Sequence, residues 1–164
     1  MNNKFKYFRQ LDYMDCGPTC LRMVASYYGK DYSLDFLRRN CYITRSGVSL
    51  QGISDGAEKI GFRSLKVRIS YEQLVNESPL PAILHWNQEH FVVLYDIRKN
   101  FWSFLPWVNK DDRFIIADPG HDLVEVEKTV FLKCWASEGN KKGIALLLEP
   151  TPEFYQIEDD NPDD

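Results

Sequence analysis

The sequence predicts an α+β fold, with N-terminal helices packed on a C-terminal antiparallel sheet. Apolar residues recur at helical spacing through the first third of the chain, and short apolar runs separated by turn signals fill the remainder. Helices followed by strands, rather than alternating with them, are typical of this class. The 164 residues, 44% of them hydrophobic, suffice for one domain with a substantial core.

Local capping signals predict the helices. The first spans 19–28, the second begins after Ser33 and the third after Ser49, because a serine side chain can accept a hydrogen bond from the first helical turn. Ser70 followed by Gln73 is a capping-box pattern and predicts one or two further helical turns.

Apolar runs predict the strands, at 62–67, 81–86, 91–97, 114–117 and 143–148. The second and third strands join around 87–89 as a hairpin, and an Asp-Pro-Gly turn closes the fourth. Segment 130–135 fits a short helix or a strand equally well.

The charge is concentrated at the C-terminal end. Residues 158–164 carry five acids and no base, so a net charge of −4 leaves about +1 for all the others. A near-neutral body has no electrostatic footprint for nucleic acid, and no nucleic-acid partner is expected. We therefore expect a domain at 1–150 and an acidic tail or linker at 151–164.

Cysteine use and the lack of long apolar runs predict a protein with free thiols in a reducing compartment. A zinc site is the alternative, but the pair Cys16 and Cys20 has no matching second pair and the three histidines are scattered. Neither a metal nor another cofactor is expected. Cys41 and Cys134 have no evident partner.

The run Asp-Cys-Gly-Pro-Thr-Cys at 15–20 carries the strongest chemical signal. A cysteine at a helix N-terminus meets the positive end of the helix dipole, which favours the thiolate, so Cys16 is a candidate nucleophile. Gly17 leaves space for a substrate, and the side-chain amide of Gln10 can donate to a developing oxyanion. The alternative is that Cys16 is a small buried apolar residue, which its position at a loop-to-helix junction disfavours.

A thiol nucleophile needs a base, and three histidines compete. His121 follows a Pro-Gly turn and is expected at the surface. His85 lies inside an apolar strand, whereas His90 opens a strand after a polar turn, which favours His90 with His85 as the alternative. Asp118 can orient His90 if their strands pair, and is otherwise a turn residue.

The remaining polar residues near the nucleophile have structural interpretations. Asp12 and Asp15 are expected to be loop or capping residues. Cys20 is expected to point into the core, because its spacing from Cys16 on one helix disfavours a disulfide.

Four motifs resemble those of the bacteriocin-processing, double-glycine leader peptidases, the papain-like cysteine peptidase domains of peptidase-containing ABC transporters. They are Gln10 to Cys20, Gly47 to Ile53, Leu80 to Leu94 and Ile116 to Pro119, in the family's order. The resemblance implies a papain-like fold in which Cys16 is the nucleophile, His90 the general base and acid, Asp118 its orienting group and Gln10 the oxyanion donor.

The resemblance also implies a substrate and partners. The family consists of cysteine endopeptidases that remove leader peptides after a Gly-Gly-type pair, coupled to export by the membrane and ATP-binding domains of an ABC transporter, fused or separate. A narrow cleft would select glycines by excluding larger side chains, and an amphipathic leader helix would dock in an apolar groove. The expected location is the cytoplasmic side of the bacterial plasma (inner) membrane, as a soluble domain.

Two other functions stay open at this point. The domain could bind export cargo without cleaving it, or use the same residues for acyl transfer or for attack on other amides. The segment 98–112 is longer and more aromatic than the family's turn, with Phe101, Trp102, Phe104 and Trp107 predicted to form an extended hairpin or an exposed binding patch.

Overall fold

The structure, a computed structural model, describes residues 5–43, 47–99, 104–107, 111–136 and 141–159. The helices found there are α1 (Cys16–Tyr27), α2 (Leu34–Cys41), α3 (Leu50–Lys59), α4 (Tyr71–Glu77) and α5 (Lys128–Trp135). The strands are β1 (Phe62–Ser70), β2 (Ala82–Trp86), β3 (His90–Arg98), β4 (Arg113–Ala117), β5 (Leu123–Glu127) and β6 (Lys142–Pro150). The predicted α+β class is confirmed.

The six strands form one antiparallel sheet in the order β1-β6-β2-β3-β4-β5. The predicted hairpin of β2 and β3 is present. β4 pairs with β3 so that Val93 lies opposite Ala117. Since the strands are antiparallel, the turn that follows β4 lies beside the first residues of β3.

Helices cover both faces of the sheet. Ile83 belongs to the buried cluster beneath α1, α2 and α3, whereas its neighbours Ala82 and Leu84 belong to the cluster beneath α4 and α5. This division follows from the alternation of side chains along a strand. Burial on both faces explains why β2 and β3 read as nearly continuous apolar runs.

The predicted helix starts are confirmed where capping chemistry is local. Ser33 and Ser49 accept hydrogen bonds from the backbone N–H groups of Phe36 and Gly52. Ser70 forms the predicted capping box with Gln73. Each bond satisfies an N–H group that the helix itself leaves without a partner.

Three findings concern elements that the sequence did not fully define. Helix α1 begins at Cys16 rather than at residue 19, because a 3₁₀ turn at Tyr13–Asp15 leads directly into it. The ambiguous segment 130–135 lies within helix α5. Strand β5 was not predicted, because it is an edge strand whose residues are mostly exposed and therefore lack an apolar run.

The chain continues to pack on the body after β6. Phe154 is fully buried, with its ring centroid 4.5 Å from that of Phe62. The Asp159 carboxylate accepts a hydrogen bond of 2.7 Å from the backbone of the α2 N-cap. The division at residue 150 stays a prediction, but the segment 151–159 is held against the helices.

The aromatic segment is described only in part. Phe101 and Trp102 lie outside the described residues, while Phe104 and Trp107 are 69% and 78% exposed. Within the described ranges, none of the helices combines the length and the apolar character that a membrane span requires.

Candidate active site

Cys16 is the first residue of α1 and is only 8% exposed. The N-terminus of α1 lies close to α3, because a side chain at Gly17 would come within 2.9 Å of Ile53. The thiol therefore sits at the positive end of a helix dipole, partly shielded from water.

His90 is the first residue of β3 and follows a tight turn. Asn87 and Gln88 in that turn have positive φ values of 52° and 65°. The backbone N–H of Asn87 donates a hydrogen bond of 2.8 Å to the carbonyl oxygen of Cys134, which anchors the turn to α5. The imidazole thus projects from a fixed backbone, and its side chain is 24% exposed.

The structure brings His90, Asp118 and Cys16 together. His90 Nε2 lies 2.6 Å from Asp118 Oδ1. Interaction with the Cys16 side chain also raises the pKa of His90, so the thiol lies near the imidazole. The His90 imidazole therefore lies near both the thiol and the carboxylate, and His85 does not take this place.

Two further groups hold the Asp118 carboxylate. The backbone N–H of Gly120 donates a hydrogen bond of 2.9 Å to Oδ1, and Nδ1 of His121 lies 3.1 Å from Oδ2. The His121 side chain is 81% exposed, which agrees with the predicted surface position. Its contact with Asp118 was not predicted, although the spacing of three residues across a turn is the signal for it.

The electrostatics favour a charged imidazole. Burial lowers the pKa of His90, but the hydrogen bonds to Asp118 and Cys16 outweigh burial and raise it to about 9. Burial raises the pKa of Asp118, yet its bonds with His90 and Gly120 hold that pKa below its usual value. Near neutral pH, His90 is therefore protonated and Asp118 is ionised.

Gln10 lies beside the turn that carries Asp118. Its backbone N–H donates a hydrogen bond of 2.8 Å to the carbonyl oxygen of Pro119, and the Tyr7 hydroxyl donates one of 2.6 Å to that of Asp118. The side-chain Nε2 donates to the carbonyl oxygen of Asp12 at 3.1 Å. Since a side-chain amide nitrogen carries two hydrogens, the second can be donated to another acceptor.

The other candidates have structural roles. Cys20 is fully buried and its thiol donates to the carbonyl oxygen of Phe91 at 3.3 Å, and burial raises its pKa. The ring of His85 packs 5.4 Å from that of Phe91. Asp15 completes the predicted capping interaction with Asp12.

Sequence reasoning did not find two features of the site region. Arg38 on α2 forms a bidentate ion pair with Asp15, the residue that precedes Cys16 in the sequence. A cavity of about 310 Å³ lies between the start of α3 and the β2–β3 hairpin, lined in part by Val48, Leu50 and Phe91. In the part of the chain that the structure describes, no three His, Cys, Asp or Glu residues are grouped to hold a metal.

Helices packed on an antiparallel sheet, with a buried thiol at a helix N-terminus near an imidazole at the start of a strand, are the arrangement of a papain-like cysteine peptidase domain. The chain belongs to the Peptidase C39 family, whose model matches residues 4–153. The resemblance drawn from the four motifs is thereby confirmed.

Similar solved structures support both the fold and the family. A double glycine motif protease from an AMS/PCAT transporter, in complex with the leader peptide, is 28% identical with a TM-score of 0.74, over 91% of this chain and 94% of that one. The peptidase domain of Streptococcus ComA, a bifunctional ABC transporter of a quorum-sensing pathway, is 27% identical with a TM-score of 0.73, over 90% of this chain and all (100%) of that one.

Curated relatives include transport and processing proteins. The lactococcin-A transport/processing ATP-binding protein LcnC of Lactococcus lactis is 32% identical over 93% of this chain. The colicin V secretion/processing ATP-binding protein CvaB of Escherichia coli is 28% identical over 88% of this chain. The chain spans only 20% and 18% of the length of these two relatives.

Proposed function

We propose that this chain is a cysteine endopeptidase that removes leader peptides from bacteriocin-like or other secreted peptides after a Gly-Gly-type site. The observation that carries the proposal is the imidazole of His90, which lies 2.6 Å from the Asp118 carboxylate and interacts with the Cys16 side chain. In this proposal Cys16 is the nucleophile, His90 the acid and base, Asp118 the orienting group and Gln10 the oxyanion donor.

The first half-reaction forms a thioester. The Cys16 thiolate attacks the carbonyl carbon of the scissile peptide bond, and the oxyanion is stabilised by the second amide hydrogen of Gln10 and the N-terminus of α1. Protonated His90 then gives its proton to the leaving amine, and the C–N bond breaks.

The second half-reaction restores the enzyme. His90, now neutral, takes a proton from water, and the resulting hydroxide attacks the thioester carbonyl. The C–S bond breaks, which releases the leader as a carboxylic acid that loses its proton to solvent, and returns a thiolate beside a protonated imidazole. Asp118 keeps the imidazole oriented through both steps and stabilises its positive charge.

The substrate follows from the relatives and from the cavity. One similar solved structure is that of a double glycine motif protease in complex with the leader peptide. Apolar residues Val48, Leu50 and Phe91 line the cavity of about 310 Å³, and Phe91 directly follows His90. We assign this cavity to apolar leader side chains upstream of the cut.

The proposed partners are the membrane and ATP-binding domains of an ABC transporter, fused or separate. The curated relatives carry transport and ATP-binding functions in their names and are about five times longer than the matched region. In this proposal the domain works at the cytoplasmic side of the bacterial plasma membrane, where a leader would be removed before or during export.

Thiol labelling tests the nucleophile and its base. Iodoacetamide is applied near neutral pH to the wild type, His90→Ala and the control His85→Ala, and each cysteine is followed by mass spectrometry. Cys134 is more exposed than Cys16, so accessibility alone would label Cys134 first. We expect Cys16 to be labelled first, and only His90→Ala to slow it; slow, uniform labelling of all four cysteines would contradict the proposal.

Cleavage separates a peptidase from a cargo-binding domain. A synthetic peptide with an amphipathic leader ending in Gly-Gly is offered to the wild type and to Cys16→Ala. Loss of cleavage with retained binding in Cys16→Ala supports the peptidase, whereas binding without cleavage by both proteins would favour the cargo-binding function.

A further inference from the structure

We propose that Arg38, on helix α2, is a positioning residue for the oxyanion donor: through Asp15 and Asp12 it keeps the side-chain amide of Gln10 oriented. This inference rests on the proposed peptidase function. It assigns a role in the reaction to a side chain outside the Cys/His/Asp group.

The first link is an ion pair between Arg38 and Asp15. Arg38 Nε donates to Asp15 Oδ1 at 2.8 Å, and Nη2 donates to Oδ2. Asp15 is only 2% exposed, so its charge depends on this partner. A planar guanidinium that binds both carboxylate oxygens fixes the direction of the carboxylate as well as its charge.

The second link is a reciprocal clamp between Asp15 and Asp12. The backbone N–H of Asp12 donates to Asp15 Oδ2 at 3.1 Å, while the backbone N–H of Asp15 donates to the carbonyl oxygen of Asp12 at 3.0 Å. These two bonds set the direction in which the Asp12 carbonyl points.

The third link reaches Gln10. The same carbonyl oxygen of Asp12 accepts the hydrogen bond from Gln10 Nε2 at 3.1 Å. Among the described residues the other end of this amide, Oε1, is buried and has no hydrogen-bond partner. The hydrogen bond to the Asp12 carbonyl therefore decides which of its two orientations the Gln10 side-chain amide takes.

Removing Arg38 would leave Asp15 as a buried carboxylate without its charge partner, which is strongly unfavourable. The carboxylate would turn, and its hold on Asp12 would weaken. The backbone of Gln10 would stay in place through its bond to Pro119, so the loss is one of side-chain orientation. The contact between Cys16 and His90 does not depend on these hydrogen bonds.

The test uses Arg38→Met, which keeps an unbranched apolar stem but removes the guanidinium and its donors. The control is Arg39→Met, since the neighbouring Arg39 forms an exposed ion pair with Asp35 at 3.4 Å. Cleavage of a Gly-Gly leader peptide gives kcat and KM, and iodoacetamide gives the alkylation rate of Cys16, a reaction that forms no oxyanion. Circular dichroism and urea unfolding verify that each variant is folded.

We expect Arg38→Met to lower kcat by about 10-fold to 100-fold, because the loss of a whole oxyanion donor costs about 100-fold to 1,000-fold. KM and the alkylation rate should stay within about 2-fold, and Arg39→Met should resemble the wild type. When Arg38→Met is added to Gln10→Ala, kcat should fall by less than about 2-fold, since both changes remove the same stabilisation of the oxyanion.

Three results would overturn the inference: an unchanged kcat in Arg38→Met, an equal loss in the Gln10→Ala background, or alkylation that falls in step with kcat. If Arg38→Met does not fold, Arg38→Lys takes its place and is expected to lose an intermediate part of kcat, since it keeps the charge without the planar fork; an unchanged kcat there would equally overturn it. A wild type that fails to cleave the peptide would refute the proposed function instead.

Discussion

Replacing Asp118 by Asn removes the negative charge that faces His90 and keeps the size of the side chain. In the folded protein the pKa of His90 is raised from 6.5 to about 9, with the bond to Asp118 opposing the effect of burial. In Asp118→Asn, burial is opposed by the Cys16 contact alone, so we expect the pKa to fall toward 6.5. At pH 7.5 the protonated fraction of His90 would then drop from about 97% to about 9%.

Titration of the imidazole resonances by NMR measures this directly. The chain has three histidines, and His90→Gln assigns the signal. A His90 pKa that stays near 9 in Asp118→Asn would show that Asp118 does not raise it, and a wild-type pKa close to 6.5 would show that no raised pKa exists.

The same change has a pH-dependent effect on stability. Because the His90 pKa is raised in the folded state, the stabilisation is fully present below 6.5 and is lost as the pH rises through about 9. Because the Asp118 pKa is lowered, its share is present above 3.8 and is lost as the pH falls through its lower folded value. Urea unfolding at a series of pH values should therefore show the largest difference in the free energy of unfolding between the wild type and Asp118→Asn from about pH 3.8 to pH 6.5.

Three further predictions concern the buried core, the His121 imidazole and metal ions. Phe154→Ala should lower the free energy of unfolding by about 3 to 5 kcal/mol in urea, against less than about 1 kcal/mol for the exposed Tyr155→Ala; equal losses would contradict the packing of the segment after β6. His121→Ala should change kcat/KM by less than about 2-fold between pH 6 and 8, because this imidazole is 81% exposed, and a larger loss would give His121 a role in the site. EDTA should leave cleavage unchanged, and metal-restored activity would argue against thiol chemistry.

Local chemistry explains which elements could be predicted from the sequence. Ser33 and Ser49 cap helices through atoms within three residues of themselves, so the sequence alone indicates the helix starts. Strand β5 could not be found this way, because its pairing with β4 at the sheet edge stabilises residues that have no apolar run of their own.

The residues of the candidate site also differ in how far the sequence alone could predict them. Cys16 and Gln10 are close in sequence and were predicted together. His90 and Asp118 meet because β3 and β4 pair, which the sequence could only state as a condition. The contact of Arg38 with Asp15 depends on how α2 packs against α1, and no local pattern records that packing.

The most direct test of the proposed peptidase function is the position of the cut. Synthetic peptides with one amphipathic leader and Gly-Gly, Gly-Ala or Ala-Leu at its end are incubated with the wild type and with Cys16→Ala, and the products are identified by mass spectrometry. We expect cleavage by the wild type alone, directly after Gly-Gly, with a strong loss for Gly-Ala and more for Ala-Leu. Equal rates on all three peptides, or cleavage by Cys16→Ala, would contradict it.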